Sequence, residues 1–154
     1  MECWYGCMTD LDTVFTDLVR YQIGLWNAVD ARLRADHDLQ LSHFEPLQII
    51  ASRQGCRVFD IAEEMVISVG GTSKLVDRLE AAGHVRRTAN PYDRRSSIIE
   101  ITPAGKRLLS KATVTYEDEL QIRLGSLIPA GEREQLASIL ATLRAATAKA
   151  GDDD

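Results

Sequence analysis

Asp60-Ile-Ala-Glu-Glu-Met-Val-Ile-Ser-Val-Gly-Gly-Thr-Ser-Lys-Leu-Val-Asp-Arg-Leu-Glu-Ala-Ala-Gly-His-Val-Arg-Arg87 is the stretch that decides the fold. Its apolar residues Ile61, Ala62 and Met65, then Leu75, Val76 and Leu79, recur at helical spacing on either side of a short break. Ser68 stands where an N-cap is needed and Gly83 where a helix stops, so the spacing predicts one helix over 60–65 and a second over 68–82. Two short helices joined by a tight turn form a helix-turn-helix, whose second helix is able to enter the major groove of DNA. Gly70 and Gly71 in its first turn each cost about 1 kcal/mol of helix propensity relative to alanine. Either a tight helix crossing or the close approach of the helix backbone to DNA accounts for them.

The chain continues with two β-prone segments, Val85 to Thr88 and Ser97 to Ile101. They flank Ala89-Asn-Pro-Tyr-Asp-Arg-Arg-Ser96, which is rich in turn formers and basic at its tip. A hairpin behind the second helix is the layout of a winged helix. Thr102-Pro103 then supplies an N-cap and an N1 proline for a further helix. Leu108, Leu109, Ala112, Tyr116, Leu120 and Leu124 form a stripe along it to about Gly125.

On the N-terminal side, Leu11, Val14, Phe15, Leu18, Val19, Leu25, Trp26, Val29 and Leu33 predict one long amphipathic helix over 10–35. Ser42-His-Phe-Glu45 has the form of a capping box opening a helix that ends near Gly55. Pro129 opens a last helix carrying Leu136, Ile139, Leu140 and Leu143. The expected fold is mainly α with a small β-hairpin wing. It is read as a single domain, with a winged-helix region over 42–101 flanked by helical segments over 8–36 and 103–148. Those flanking helices have more apolar surface than a small domain needs, and a homodimer interface would cover it.

Composition bounds the function. The chain has 154 residues, of which 45% are hydrophobic and 27% charged, enough for a folded core. No apolar run reaches the ~18–20 residues of a membrane span and no leader is legible, so a cytoplasmic protein without a membrane partner is expected. The net charge of −5 is unevenly spread. Residues 68–107 hold eight basic side chains (Lys74, Arg78, Arg86, Arg87, Arg94, Arg95, Lys106, Arg107) against four acids (Asp77, Glu80, Asp93, Glu100), a local +4 that leaves −9 on the rest. A basic module in an acidic body suits a protein that meets DNA through one surface. Cys3, Cys7 and Cys56 have no disulfide or zinc-ligand spacing, so reduced thiols, no metal and no cofactor are expected. Met8-Thr-Asp10 is itself a plausible translational start, which would remove Cys3 and Cys7. No nucleophile elbow, phosphate loop or zincin motif is present, and an enzyme is not expected.

Three segments together, Leu75-Val-Asp-Arg-Leu-Glu-Ala-Ala-Gly-His-Val-Arg-Arg87, Asp93-Arg-Arg-Ser96 and Ile101-Thr-Pro-Ala-Gly-Lys-Arg107, resemble the multiple-antibiotic-resistance regulator (MarR) family of transcription factors. Leu25-Trp26 and Leu41-Ser-His-Phe-Glu45 look like an actinobacterial subgroup of it. The resemblance implies a homodimer on a pseudo-palindromic operator, with recognition helices in successive major grooves and wings in flanking minor grooves. Thr72, Ser73 and Lys74, with Arg78 one turn later, are placed to reach base edges or phosphates. By resemblance Arg94 or Arg95 enters the minor groove, where negative potential is enhanced, and Asp93 braces its neighbour. Ser68, Gly70, Gly71, Arg86, Arg87 and Ser96 complete the expected DNA-binding set.

The resemblance also implies a repressor modulated by a small aromatic or phenolic effector, bound between the dimerisation helices and the winged helix. Trp26, His43, Phe44, Glu45 and Arg78 are the candidate pocket residues. Plain structural roles are also open: Trp26 as core, Glu45 as cap, His43 as a surface or packing residue. Asn90 stands where a urate-binding relative would have an arginine. A cysteine-based redox sensor is one alternative, although the first helix has no cysteine. A winged helix that binds protein rather than DNA is another, and Arg86, Arg87, Arg94 and Arg95 in one hairpin argue against it.

Overall fold

The computed structural model describes residues 10–150; Cys3, Cys7 and Met8 lie outside the described residues. Among the described residues, six α-helices and one hairpin follow in the order α1 (Asp10–His37), α2 (Leu41–Ser52), α3 (Val58–Met65), α4 (Val69–Ala81), β1 (Val85–Ala89), β2 (Ser97–Ile101), α5 (Pro103–Leu120) and α6 (Ala130–Ala150). A π-helical turn, Gln121–Gly125, extends α5. The chain divides into two compact units after Tyr116.

In the first unit the core is built from the inward faces of α1 to α4 and the hairpin. Leu33, Phe44, Leu47, Ile61, Val76, Leu79, Val85 and Ile99 are its buried centre. The helix-turn-helix core expected from spacing is present in Ile61, Ala62, Val76 and Leu79, while Met65 and Leu75 are half-buried at its margin. Strands β1 and β2 pair antiparallel from Val85↔Ile101 to Ala89↔Ser97. The Ile99 amide also donates to the Cys56 carbonyl at 2.7 Å, tying the hairpin to the segment just before α3.

Two helix starts differ from the sequence expectation. Helix α2 begins at Leu41, one residue earlier than predicted, and Ser42 and Glu45 form no capping box. The cap comes instead from α1: Asp30 Oδ1 accepts the Leu41 amide at 2.8 Å, and Asp30 Oδ2 accepts Arg34 Nε at 2.6 Å. Burial pushes the Asp30 carboxyl up, but the Leu41 amide and Arg34 outweigh it and hold it below its ordinary value. Helix α3 begins at Val58 rather than Asp60, because Asp60 is the reach-back acid of the first turn, accepting the Arg57 amide at 2.8 Å.

The wing is fastened to α5 at one joint. Thr102 donates its amide to the His84 carbonyl at 2.9 Å and its hydroxyl to the Gly83 carbonyl at 2.7 Å. Its Oγ1 in turn accepts the Gly105 amide at 3.0 Å, capping α5 as the Thr-Pro pair predicted. Gly105 is buried there, and a Cβ on it would collide with the His84 carbonyl oxygen. Farther along α5, Thr115 Oγ1 meets His37 Nε2 of α1 at 2.8 Å, and the ring of Tyr116 lies 4.9 Å from that of Phe44.

Only the C-terminal third of α1 enters this core. Val29 and Leu33 are buried, whereas Leu11, Val14, Phe15, Leu18, Ile23 and Trp26 are exposed. In the second unit Ile139 and Leu143 of α6 are likewise exposed, and Arg133 Nη1 donates to the Gly125 and Ile128 carbonyls, bracing the turn before that helix.

Candidate nucleic-acid interface

Helix α4 is amphipathic in a way that sorts its own candidates. Thr72, Val76 and Leu79 face the core; Val69, Gly70, Lys74, Asp77 and Arg78 face outward, with Ser73 half-buried beside them. Ser68 caps the helix, its Oγ accepting the Gly71 amide at 3.1 Å. A Cβ on Gly71 would stand 3.1 Å from that Oγ, so the second glycine keeps the cap open. Gly70 is different: a Cβ there meets nothing within 4 Å. The tight helix crossing that would have explained this glycine is therefore absent from the described residues of the protomer.

Thr72 does not belong to the interface. It is fully buried and its hydroxyl donates to the Ser68 carbonyl at 3.0 Å, back-bonding within the helix rather than pointing outward. Spacing alone places it in the first turn; the rotation of the helix about its axis decides which side it serves.

The four wing arginines separate into two pairs. Arg86 lies opposite Glu100 in the hairpin register and forms a two-pronged ion pair with it, Nη2 to Oε2 at 2.7 Å and Nε to Oε2 at 2.9 Å. Arg87 turns back onto α4, with Nη1 2.6 Å from Glu80 Oε2 and Nη2 2.8 Å from Asp77 Oδ1. The Arg87 amide donates to Glu80 Oε1 at 2.8 Å, and this bond, with the guanidinium, holds the Glu80 carboxyl below its ordinary value. Both arginines thus brace the wing, Arg87 half-buried against α4 and Arg86 still largely exposed.

At the tip, Arg94 is exposed and forms no ion pair among the described residues. Asp93 turns the tip: its Oδ1 accepts the Arg95 amide at 3.0 Å and stands 3.6 Å from Arg95 Nε. Ser96 is tied into the same turn, its Oγ accepting from Asn90 Nδ2 at 2.8 Å. Arg95 is 96% exposed despite its nearness to Asp93, so two guanidinium groups reach into solvent from one braced turn.

The five candidate pocket residues differ in burial: Phe44 is buried, His43 and Glu45 half-buried, Trp26 and Arg78 exposed. Phe44 is fully buried against Tyr116 and is core, not an open wall. Burial raises the Glu45 carboxyl, and burial followed by the Glu45 charge raises the Tyr116 phenol, which puts Glu45 beside that same ring. His43 lies on another side of α2. Burial lowers its pKa, and the charges of Arg78, Arg34 and His84 lower it further. His84 Nδ1, in the same basic neighbourhood, is buried with no hydrogen-bond partner among the described residues. Trp26 lines a shallow surface hollow of about 270 Å³ with Gln22, Ile23 and Asn27 on α1.

A protein-family model described as the MarR family matches residues 37–96, the span from the end of α1 through the wing tip. That span is a MarR-family winged helix-turn-helix. Among curated relatives, the HTH-type transcriptional regulator TtmR of Methylorubrum extorquens (strain PA1) is 31% identical over 114 residues, covering 73% of this chain and 56% of that protein. The chain spans about half the length of the curated relatives it matches. Among solved structures, the MarR family regulator Sco3205 of Streptomyces coelicolor, in complex with DNA, superposes with a TM-score of 0.83 at 20% identity, over 90% of this chain and 92% of that one. CouR of Rhodococcus jostii RHA1, bound to p-coumaroyl-CoA, gives a TM-score of 0.78 at 25% identity over 89% and 95%. The winged-helix MarR fold expected from the sequence is thus the observed one.

Proposed function

We propose that this protein is a sequence-specific double-stranded DNA-binding regulator of transcription, a repressor acting in the cytoplasm as a homodimer on a pseudo-palindromic operator. The observation that carries the reading is the sorting of charge on the winged helix. Arg86 and Arg87 are ion-paired in bracing the wing, while Lys74 and Arg78 on the outward face of α4 and Arg94 at the tip are exposed with no ion pair among the described residues. Cations on a braced frame are what phosphate neutralisation and groove contacts require. The DNA complex of Sco3205 supports the assignment by kinship of fold.

The exposed apolar face of α1, from Leu11 to Trp26, is the surface a second copy would cover. The effector in this reading is a small aromatic molecule carrying a negative charge, drawn to the basic neighbourhood of His43, Arg78 and His84. CouR, bound to p-coumaroyl-CoA, supports that class.

Fluorescence anisotropy of the full chain against its own promoter region and a scrambled duplex, at about 150 mM salt, tests the reading. Nanomolar binding to the promoter alone is expected. Equal, weak binding to both would overturn it in favour of a protein-interaction module.

A further inference from the structure

The leading end of the recognition helix is apolar. Val66 is 88% exposed, Val69 51% and Ile67 42%, and with Phe59 and Glu63 of α3 they line a shallow groove of about 460 Å³. No lysine or arginine occurs between Arg57 and Lys74, and none lines the groove. Val66 also adopts a left-handed backbone, φ +55°, a conformation that glycine takes freely and a β-branched side chain resists. The chain therefore carries an isopropyl group in solvent, at a strained position, just ahead of the helix that faces outward. Beyond it, Gly70 leaves open space above the α4 backbone.

Resting on the regulator reading above, we propose that this patch reads the 5-methyl groups of thymine in the major groove, with Val69 as the specificity-determining side chain. N-terminal residues of a recognition helix are those that meet base edges. Of the groups a base pair displays in the major groove, the thymine methyl is the apolar one. Val69 projects from the first turn on the same outward stripe as Ser73 and Lys74, and the missing side chain at Gly70 lets base edges come close to the helix. Val66 and Ile67 widen the apolar surface toward the neighbouring base step.

The test begins with an operator selected by the full-length protein from a random duplex library. Each thymine is then replaced in turn by deoxyuridine, which removes the methyl and leaves every hydrogen-bonding edge intact. Loss of about fourfold in affinity per buried methyl is expected at one or two positions of each half-site. Val69→Ala should bind the unmodified operator correspondingly more weakly and be indifferent to deoxyuridine at those positions, with Val69→Thr intermediate. A selected operator at which wild-type affinity ignores every deoxyuridine overturns the methyl reading and leaves the regulator standing. A selection that enriches no sequence overturns both. Because the deoxyuridine arm uses the wild-type chain, the result does not depend on any variant folding.

Discussion

Arg87 and Glu80 are joined twice: guanidinium to carboxylate at 2.6 Å, and the Arg87 amide to the other oxygen of the same carboxylate at 2.8 Å. The pair fixes the first strand of the wing to the recognition helix, so tip and helix keep one relative orientation. A bond of that kind affects DNA affinity through geometry rather than through charge delivered to phosphate.

Arg87→Ala should therefore lower stability by about 1 kcal/mol, the typical net worth of a hydrogen-bonded pair. It should weaken operator binding while leaving the slope of log affinity against log salt nearly unchanged. Urea unfolding and a salt titration measure the two. The Glu80 carboxyl is held below its ordinary value of 4.5, so its share of stability is present above that pH and is lost as pH falls through the depressed value. Glu80→Gln should flatten that acid limb.

Arg94→Ala with Arg95→Ala is expected to do the opposite. Both groups are exposed at the tip, so thermal stability should stay within about 0.5 kcal/mol of wild type. Operator affinity should fall strongly, and the salt slope should become shallower by about 1 for each phosphate no longer neutralised. Retained affinity with an unchanged slope would remove the tip from the interface.

Cys56 should be inert in the folded protein. It is 1% exposed, and burial pushes its thiol up to about 11, with Asp60 adding to the effect of burial against the opposing charges of Arg53 and Arg57. Alkylation by iodoacetamide at neutral pH, followed by mass spectrometry, should label this thiol only in denaturant. Rapid labelling of Cys56 in the native state would restore the redox-sensing alternative for this residue.

Two glycines should respond in opposite senses to the same change. Gly105→Ala forces a methyl against the His84 carbonyl and should destabilise the fold by roughly 1–3 kcal/mol. Gly70→Ala meets no described atom of the protomer and should raise stability by up to about 1 kcal/mol through helix propensity, while weakening DNA binding. A calorimetric scan of both variants beside a binding titration separates the two demands.

Much of this fold is legible in the sequence because it is written in local periodicity. The positions of α1, α4 and the hairpin, the Ser68 cap and the Thr102-Pro103 start need only neighbours in sequence. The start of α2 escapes such a reading because its cap is Asp30, a residue eleven positions upstream that no local pattern connects to Leu41. The candidate interface is legible as a set of residue types and illegible as a set of directions. Thr72 and Ser73 are neighbours of similar chemistry, yet one is fully buried, and Arg87 and Arg94 share a hairpin, yet Arg87 is already paired and Arg94 is not. One signal exists in advance for Arg87: Asp77 and Glu80 lie three apart, on one face of the helix that precedes it.

Thr102, clasped between the segment that ends the recognition helix and the first turn of α5, makes a hinge without play. Its hydroxyl serves Gly83 on one side and Gly105 on the other, and the absent side chain at Gly105 lets the two backbones touch. Helix α5 is then the handle of a crank whose working end is α4. The pitch between α4 and the first turn of α5 is thus set by one hydroxyl and one missing methyl, neither of them on the face that α4 turns outward.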